Sequence, residues 1–524
     1  MVKVSFPKQN ISLDIPEGTT VFEAELMAGL QPEALCGGAG LCGKCRVEIM
    51  YENGRRETVL ACRKKIQEDL TVLYPDDSAS AAPSGILTEG TGLPKKASGK
   101  AQAGHQLTAA LDLGTTTLVL YLADRETGEL LTTLSCLNPQ IRFGADVISR
   151  ADYAMKHSGE ELSSAIRKAV NDLQQEALKE TGADAGDLDS VTLAGNSCMH
   201  HLFLGLSVKS LALSPYKPVM TDPLILNASD YGFRVNEKVN LYMLPLIGGF
   251  VGSDTTAVMA ASDLDLKEDL TLIIDIGTNG ELVLGNRDRS LACSTAAGPA
   301  FEGANITCGM RSSEGAIDHV KISGGELNYS VIGKGKPAGI CGSGLLDLTA
   351  ELLRTGVIDG SGKFCETSFE DITSLQKRIK MTDGMKCFIL AEETESATGE
   401  PIRLTQKDIR EVQLAKAAIA SGISLLISHF GCKVTDIKQV LIAGAFGSFM
   451  SKESAGSLGL IPPTLIPRTE IIGNAAGTGA LLCALKSSCM ERAEKLAART
   501  EYVELASDPD FQDLFIDELT LGFF

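Results

Sequence analysis

No stretch of eighteen apolar residues occurs in this 524-residue chain, so nothing in the sequence reads as a bilayer-spanning helix. Also missing is a basic start followed by an apolar run: the chain opens MVKVSFPKQNISLDIPEG, and the expectation is a soluble, cytosolic protein. Basic residues are in deficit, 48 Lys and Arg against 67 Asp and Glu, for a formal net charge of −19. Nonspecific attachment to nucleic acid or anionic membranes is thereby excluded, because those partners demand clustered cations that displace counterions. Tryptophan is absent, and charge alone names no partner.

What remains is an ordinary globular composition, 44 % hydrophobic and 22 % charged, with 53 glycines. The length predicts two to four domains, and Gly-rich turns suit an α/β design. Residues 2–6 and 11–15 alternate apolar and polar side chains, and Thr19 to Leu30 reads as a capped helix, which is how a β-grasp begins. Beyond Pro75, the segment DDSASAAPSGILTEGTGLPKKASGKAQAGHQ has the composition of a flexible linker. We therefore expect a first domain over 1–77, a linker over 78–106, and two lobes over 107–264 and 265–524.

Fourteen cysteines in a chain without an export signal read as buried thiols plus metal ligands. Four are spaced as ligands: Cys36-x5-Cys42-x2-Cys45, then Cys62 after sixteen residues, the thiolate set of a [2Fe-2S] cluster of the plant or adrenodoxin kind. A zinc site or four unligated thiols are the alternatives, and zinc favours paired C-x2-C knuckles. The same run imitates two nucleotide motifs. GAGLCG fits G-x-G-x-x-G, and GAGLCGK nearly fits a P-loop, but Cys45 stands where a P-loop needs Ser or Thr and no buried strand precedes it.

From Leu107 onward, apolar strands ending in Gly-rich turns alternate with helical stretches. Two turns nearly repeat, DLGTTT at 112–117 and DIGTNG at 275–280, which suggests a duplicated architecture. In each, one carboxylate at a strand end could lie near Mg²⁺ while the following backbone and hydroxyls cradle phosphate oxygens. The first loop offers Asp112, Gly114, Thr115, Thr116 and Thr117; the second offers Asp275, Gly277, Thr278 and Asn279. A third element, VLIAGAFGSF, brings Gly444, Ala445 and Gly447, where a Cβ on either glycine would collide with an adenine or ribose.

The order of these elements resembles the actin, Hsp70 and sugar-kinase superfamily, covering the chain from residue 107. The resemblance implies phosphate loops at Asp112 and Asp275, an adenosine loop at 443–448, and a connecting helix at GGFVGSDTTAVMAAS. It also offers Asp254 as the residue that addresses the attacking water, a helix N-cap being the plain alternative for that aspartate. GNAAGTGA at 473–480 resembles the second connecting helix.

Taken end to end, CGGAGLCGKC, STAAGPAFEGANITCGM, GICGSGLLDL and AGAFGSF resemble the reductive activators of corrinoid-dependent methyltransferases. That resemblance implies an ATP-dependent reductive activase that carries one electron from a [2Fe-2S] cluster to turn cob(II)alamin into cob(I)alamin, with ATP and Mg as further cofactors. It implies a corrinoid protein as partner, an upstream electron donor that is unknown, and a homodimer, with neither nucleic acid nor membrane. Rival functions are an activator of 2-hydroxyacyl-CoA dehydratases, a small-molecule kinase, and a nucleotide-binding redox sensor. Ser312 or Ser313 in TCGMRSSEG could face the cobalt, an ordinary Ser-rich turn being the alternative. Adjacent His200 and His201 point apart on a helix and read as buried or capping residues, and Cys308 and Cys341 as buried thiols.

Overall fold

A computed structural model describes residues 1–28, 30, 32, 45–73, 87–96, 99–365, 373–382 and 384–522. They divide into two compact units, Met1–Ser84 with Gln140–Arg150, and Gly85–Pro139 with Ala151–Phe524.

In the first unit, β1 (Val2–Phe6), β2 (Ile11–Ile15), β3 (Arg46–Tyr51), β4 (Arg56–Leu60) and β5 (Leu70–Leu73) form one mixed sheet in the order β2-β1-β5-β3-β4. The alternation read from the sequence is the β1–β2 hairpin, whose Val4, Phe6 and Ile15 are fully buried. The helix expected over Thr19 to Leu30 is the shorter Val21–Met27, capped by Thr20, which accepts from the Glu23 backbone N–H while the Glu23 carboxylate accepts from the Thr20 N–H. Gln140–Arg150, expected in the first lobe, counts with this unit. Arg150 is fully buried there, donating from Nε to the Gly144 carbonyl at 2.9 Å and from Nη1 to Gln140 at 3.4 Å.

The second unit repeats one plan twice. Its first sheet contains β6 (Leu107–Leu113), β7 (Thr117–Asp124), β8 (Leu130–Leu137), β9 (Leu188–Gly195), β10 (Leu224–Asn227) and β11 (Asn240–Met243), in the order β10-β11-β9-β6-β7-β8. Its second begins with β12 (Thr271–Ile276), β13 (Gly280–Gly285) and β14 (Ser290–Thr295). Two small sheets follow, β15 (Ala316–Ser323), β16 (Glu326–Val331) and β17 (Gly339–Ile340), then β18 (Ile379–Thr382), β19 (Met385–Ala391) and β20 (Ile402–Thr405). Strands β21 (Gln439–Ala443), β22 (Thr469–Gly473) and β23 (Glu501–Tyr502) complete the second large sheet as β22-β21-β12-β13-β14-β23.

In both large sheets an antiparallel meander is extended by parallel strands: β9 and β11 beside β6, and β21 and β22 beside β12. The duplication read from the two Asp-x-Gly-Thr turns is therefore a duplication of topology. Central strands β6 and β12 are apolar almost throughout, and in each only the terminal aspartate region keeps surface.

The helices Ser253–Ala261 and Ala475–Leu485 join the two sheets in one core with Tyr121, Ile273, Val283 and Leu441. They meet closely, since a Cβ on Gly479 would collide with the Ala257 carbonyl oxygen, and one on Gly477 would lie 2.5 Å from the Tyr121 hydroxyl. Burying Val258, Met259 and Leu481 completely is worth roughly 1.5–3 kcal/mol each.

The stretch expected to be a flexible linker is corrected over its described part. Residues 87–96 and 99–106 are hydrogen-bonded along the second unit: Thr91 N–H to Ile472, Asn474 N–H to Glu89, Leu130 N–H to Lys95 and Ala101 N–H to Thr181. A composition poor in periodicity does not prevent a backbone from pairing with a strand edge.

The helix Gln406–Phe430 is long and apolar enough to cross a membrane by length and composition, yet it is mostly buried as a core helix. Its Lys416, 1 % exposed, donates to the Glu518 carboxylate at 2.6 Å and to the carbonyls of Glu518 and Thr520 at 2.9 and 3.1 Å.

Candidate functional site

Each phosphate-loop candidate begins where a buried strand stops. At the end of β6, Gly114 leaves no room for a Cβ, which would lie 2.6 Å from the Thr117 carbonyl oxygen. Asn138, fully buried, fixes the turn by donating its side-chain N–H to the Gly114 carbonyl at 2.8 Å and its backbone N–H to Thr116 at 2.9 Å. Thr115 accepts a 2.9 Å hydrogen bond from Asn196, the N-cap of the helix Ser197–Leu204. At the end of β12, Gly277 donates to the Asn279 carbonyl at 2.9 Å, closing a tight turn into β13.

The two loops are joined by Glu302, a residue that no motif in the sequence marks. Thr116 Oγ1 donates to Glu302 Oε2 at 3.1 Å, and Thr278 Oγ1 donates to Glu302 Oε1 at 2.5 Å. One carboxylate thus takes one hydroxyl from each loop, which demonstrates that these hydroxyls can be satisfied by an anion.

Four acids sit behind the loops. Asp112, Asp254 and Asp275 keep some surface yet are set deep among protein atoms. Desolvation pushes Asp112 up to about 6, with the Asn474 hydrogen bond opposing the rise. Asp254 is pushed up to about 7 by desolvation and then by the charge of Asp112. Asp275 is pushed up to about 7 by desolvation and by Asp254 and Asp112. These three residues come from a strand end in each sheet and from a helix, and the charge of Asp112 reaches both Asp254 and Asp275. A divalent cation would favour their ionised forms.

Glu281 is the fourth, held well above the ordinary carboxylate range by desolvation and by Asp254 and Asp275. It was missed because its meaning lies in the register: the turn pairs Asp275 with Glu281 across β12 and β13. The Asn279-Gly280 dipeptide between two apolar runs was the signal that could have found it.

Asp254 is not a helix cap. Gly252 holds the N-cap position of Ser253–Ala261, and Asp254 stands in the first turn with its Oδ1 accepting from the Thr255 N–H at 2.7 Å. A Cβ on Gly252 would collide with the Asn196 backbone, so the helix end presses on the turn after β9. Ser253 Oγ stitches that contact with 3.0 Å hydrogen bonds to the Gly195 N–H and carbonyl.

The glycines of the third element are pressed against protein atoms. A Cβ on Gly444, at φ +90°, would lie 2.5 Å from Asp275 Oδ1 and from the Ile276 carbonyl oxygen, and one on Gly447 would lie 2.5 Å from Ile442 Cγ2. Ala445 lies between them, and Phe446 stacks on Phe301 with centroids 4.4 Å apart.

Of the four cluster cysteines, Cys36 and Cys42 lie outside the described residues. Cys45 and Cys62 face one another in the first unit with sulfurs 3.1 Å apart. Two thiolates on one tetrahedral metal, with bonds of about 2.3 Å, stand roughly 3.8 Å apart, so this pair fits a shared metal after a small opening. Among the described residues no group of three or more His, Cys, Asp or Glu is arranged to hold a metal ion.

The remaining candidates are quieter. His200 and His201 are both fully buried; burial pushes His200 down to about 3, and His201 bonds the Ser197 carbonyl and the Val219 N–H. Cys341 is a buried thiol directed at the Ile317 carbonyl. Ser312 and Ser313 are half-buried on a loop whose base is pinned by Thr307 to Asp408 and by Met310 N–H to Ile340.

Comparison with known proteins draws these parts together. Residues 107–267 match the RACo middle region, and residues 269–522 match the C-terminal domain of RACo, the ASKHA domain. The corrinoid activation enzyme RamQ of Eubacterium limosum is 33 % identical over 99 % of this chain and 99 % of its own. The chain belongs to the family of corrinoid reductive activators. A second relative, the [Co(II) methylated amine-specific corrinoid protein] reductase of Methanosarcina barkeri, is 25 % identical over 78 % of this chain and 76 % of its own. Among solved structures, a reductive activator for corrinoid, iron-sulfur protein superposes with a TM-score of 0.71 at 29 % identity, covering 99 % of this chain and 98 % of that one. In this activator the two repeated sheets are the actin-like fold expected from the Asp-x-Gly-Thr turns.

Proposed function

We propose that this activator restores a corrinoid protein to its methyl-accepting state in an ATP-dependent way, returning cob(II)alamin to cob(I)alamin with one electron from a [2Fe-2S] cluster. The observation that carries the ATP part is the convergence of Asp112, Asp254 and Asp275 behind two threonine-bearing loops that already hold an anionic group. Family membership supports the corrinoid part.

Within this reading Thr115, Thr116, Thr117, Thr278 and Asn279 hold phosphate oxygens, and Asp112 and Asp275 hold Mg²⁺ through its waters. Asp254 receives a proton from the attacking water, a task that suits a carboxyl pushed up to about 7. Cys36, Cys42, Cys45 and Cys62 hold the cluster, which supplies one-electron chemistry when bound. ATP cannot by itself make an electron more reducing. Its binding and hydrolysis instead change the affinity between the activator and its corrinoid partner, so that a docked state is formed and then released. The protein works in the cytoplasm as a homodimer, drawing electrons from a donor that the chain does not name.

The test is anaerobic. Reduced protein is mixed with a cob(II)alamin-loaded corrinoid protein from the same genome, and cob(I)alamin absorbance is followed with and without Mg-ATP. Formation that needs ATP and disappears in Cys42→Ala is expected. An intact cluster with measurable ATP turnover and no cob(I)alamin from any candidate partner would defeat the proposal.

A further inference from the structure

The carboxylate of Glu302 occupies the position between two loops in which an anionic ligand is expected. We propose that Glu302 is an internal stand-in for phosphate, a positioning residue that ties the loops together without nucleotide and is displaced when the triphosphate arrives. The inference rests on the reading that these loops bind ATP.

Its basis is hydrogen-bond accounting. A threonine hydroxyl has one proton to donate. Thr116 gives its proton to Glu302 Oε2 and Thr278 gives its own to Oε1, so neither can donate to a phosphate oxygen while Glu302 stays. Charge enforces the same exclusion, because a carboxylate and a triphosphate repel at contact and neither can neutralise the other.

Glu302 is mounted so that its departure is felt elsewhere. It ends the short turn Pro299–Glu302, which stops at Gly303 with φ +79°. A Cβ on Gly303 would lie 2.5 Å from the Met310 carbonyl oxygen, so the turn rests directly on the loop 307–315. On its other side Phe301 stacks against Phe446 with ring planes 3° apart, and a Cβ on Gly342 would collide with the Phe301 carbonyl oxygen. A backbone shift at Glu302 would therefore be passed by Phe301 and Gly303 to the 443–448 loop, the start of the helix Gly342–Arg354, and the 307–315 loop. Packed contacts of this kind shift between discrete arrangements rather than stretch.

The decisive variant is Glu302→Gln, which keeps the shape and removes the charge. Calorimetric titration with Mg-AMP-PNP is expected to give a dissociation constant about tenfold lower than wild type, since a like-charge obstacle is gone. In hydrogen exchange, wild-type amides over 307–315 should exchange faster once AMP-PNP is bound, and Glu302→Gln should show that faster exchange without nucleotide. A purely structural Glu302 would leave affinity unchanged, and a Glu302 that helps to bind Mg²⁺ or phosphate would make the variant weaker. Either result, with wild type binding normally, overturns the displacement. Wild-type protein that fails to bind AMP-PNP at all would instead overturn the ATP reading beneath it.

Discussion

Asn474 donates from Nδ2 to Asp112 Oδ2 at 2.8 Å while its Oδ1 accepts from the Gly477 N–H at 2.8 Å, so one amide both holds the first-loop carboxylate and caps the helix Ala475–Leu485. The helix that joins the two sheets thus begins on an aspartate of the site. Asn474→Ala should cost about 1–2 kcal/mol of stability in urea denaturation through the lost cap. It should also raise the Asp112 pKa further, because the Asn474 hydrogen bond is what opposes desolvation there.

The coupled acids give a pH signature of definite sign. Asp275 is pushed from 3.8 up to about 7 in the folded chain, so protonation favours the fold. Its contribution is fully present below the ordinary carboxylate range and is lost as pH rises toward 7. Asp275→Asn mimics the protonated form. In nucleotide-free protein its melting temperature should exceed that of wild type by a margin that opens above about pH 4 and levels off above about pH 7. Mg-ATP should shrink the margin by stabilising the wild-type carboxylate. A margin that narrows with rising pH would contradict the assignment.

Asp254→Asn should lower ATP hydrolysis at least a hundredfold while nucleotide affinity changes only a few-fold, the pattern of a lost proton acceptor. Steady-state hydrolysis together with AMP-PNP titration separates the two quantities.

Gly444→Ala sets a positive φ against an L side chain and places a methyl group 2.5 Å from Asp275 Oδ1. Strain of this kind costs about 1–3 kcal/mol, and the displaced carboxylate should weaken Mg-nucleotide binding. Thermal unfolding and titration calorimetry check each part.

In the first unit, Cys62→Ala should reduce bound iron from about two ions per chain to near zero and abolish the visible absorbance of the cluster. Retention of iron would argue that Cys45 and Cys62, although 3.1 Å apart, do not share a metal.

Local signals made much of this molecule legible. The β1–β2 hairpin, the capped helix after it and the two strand-ending Asp-x-Gly-Thr turns depend on neighbours in sequence; the hairpin and the turns stand where the residues put them, and the helix is shorter than expected. Glu302 lies 186 residues from Thr116, and Asn474 lies 362 from Asp112, so their roles arise from chain returns that no periodicity encodes. Residues 87–96 and 99–106 look like a linker for the same reason, since a segment that pairs with distant parts of the chain needs no apolar pattern of its own. Gly444 was noticed for a sound reason, the absence of a Cβ, but the neighbour that requires it, Asp275, comes from another strand.

The grip of Lys416 on Glu518 and Thr520 has a consequence for biosynthesis. Lys416 is a buried ammonium whose three partners belong to residues 518–520, so the long helix that carries it would enclose an unneutralised charge until those residues have been made. Folding on the ribosome proceeds from the N-terminal side. The first of the repeated sheets is made in full while the chain is growing, whereas the helix packed on the second keeps Lys416 without its partners until residue 520 is made. A nascent chain stalled short of that point would have to leave this lysine in water and the helix undocked.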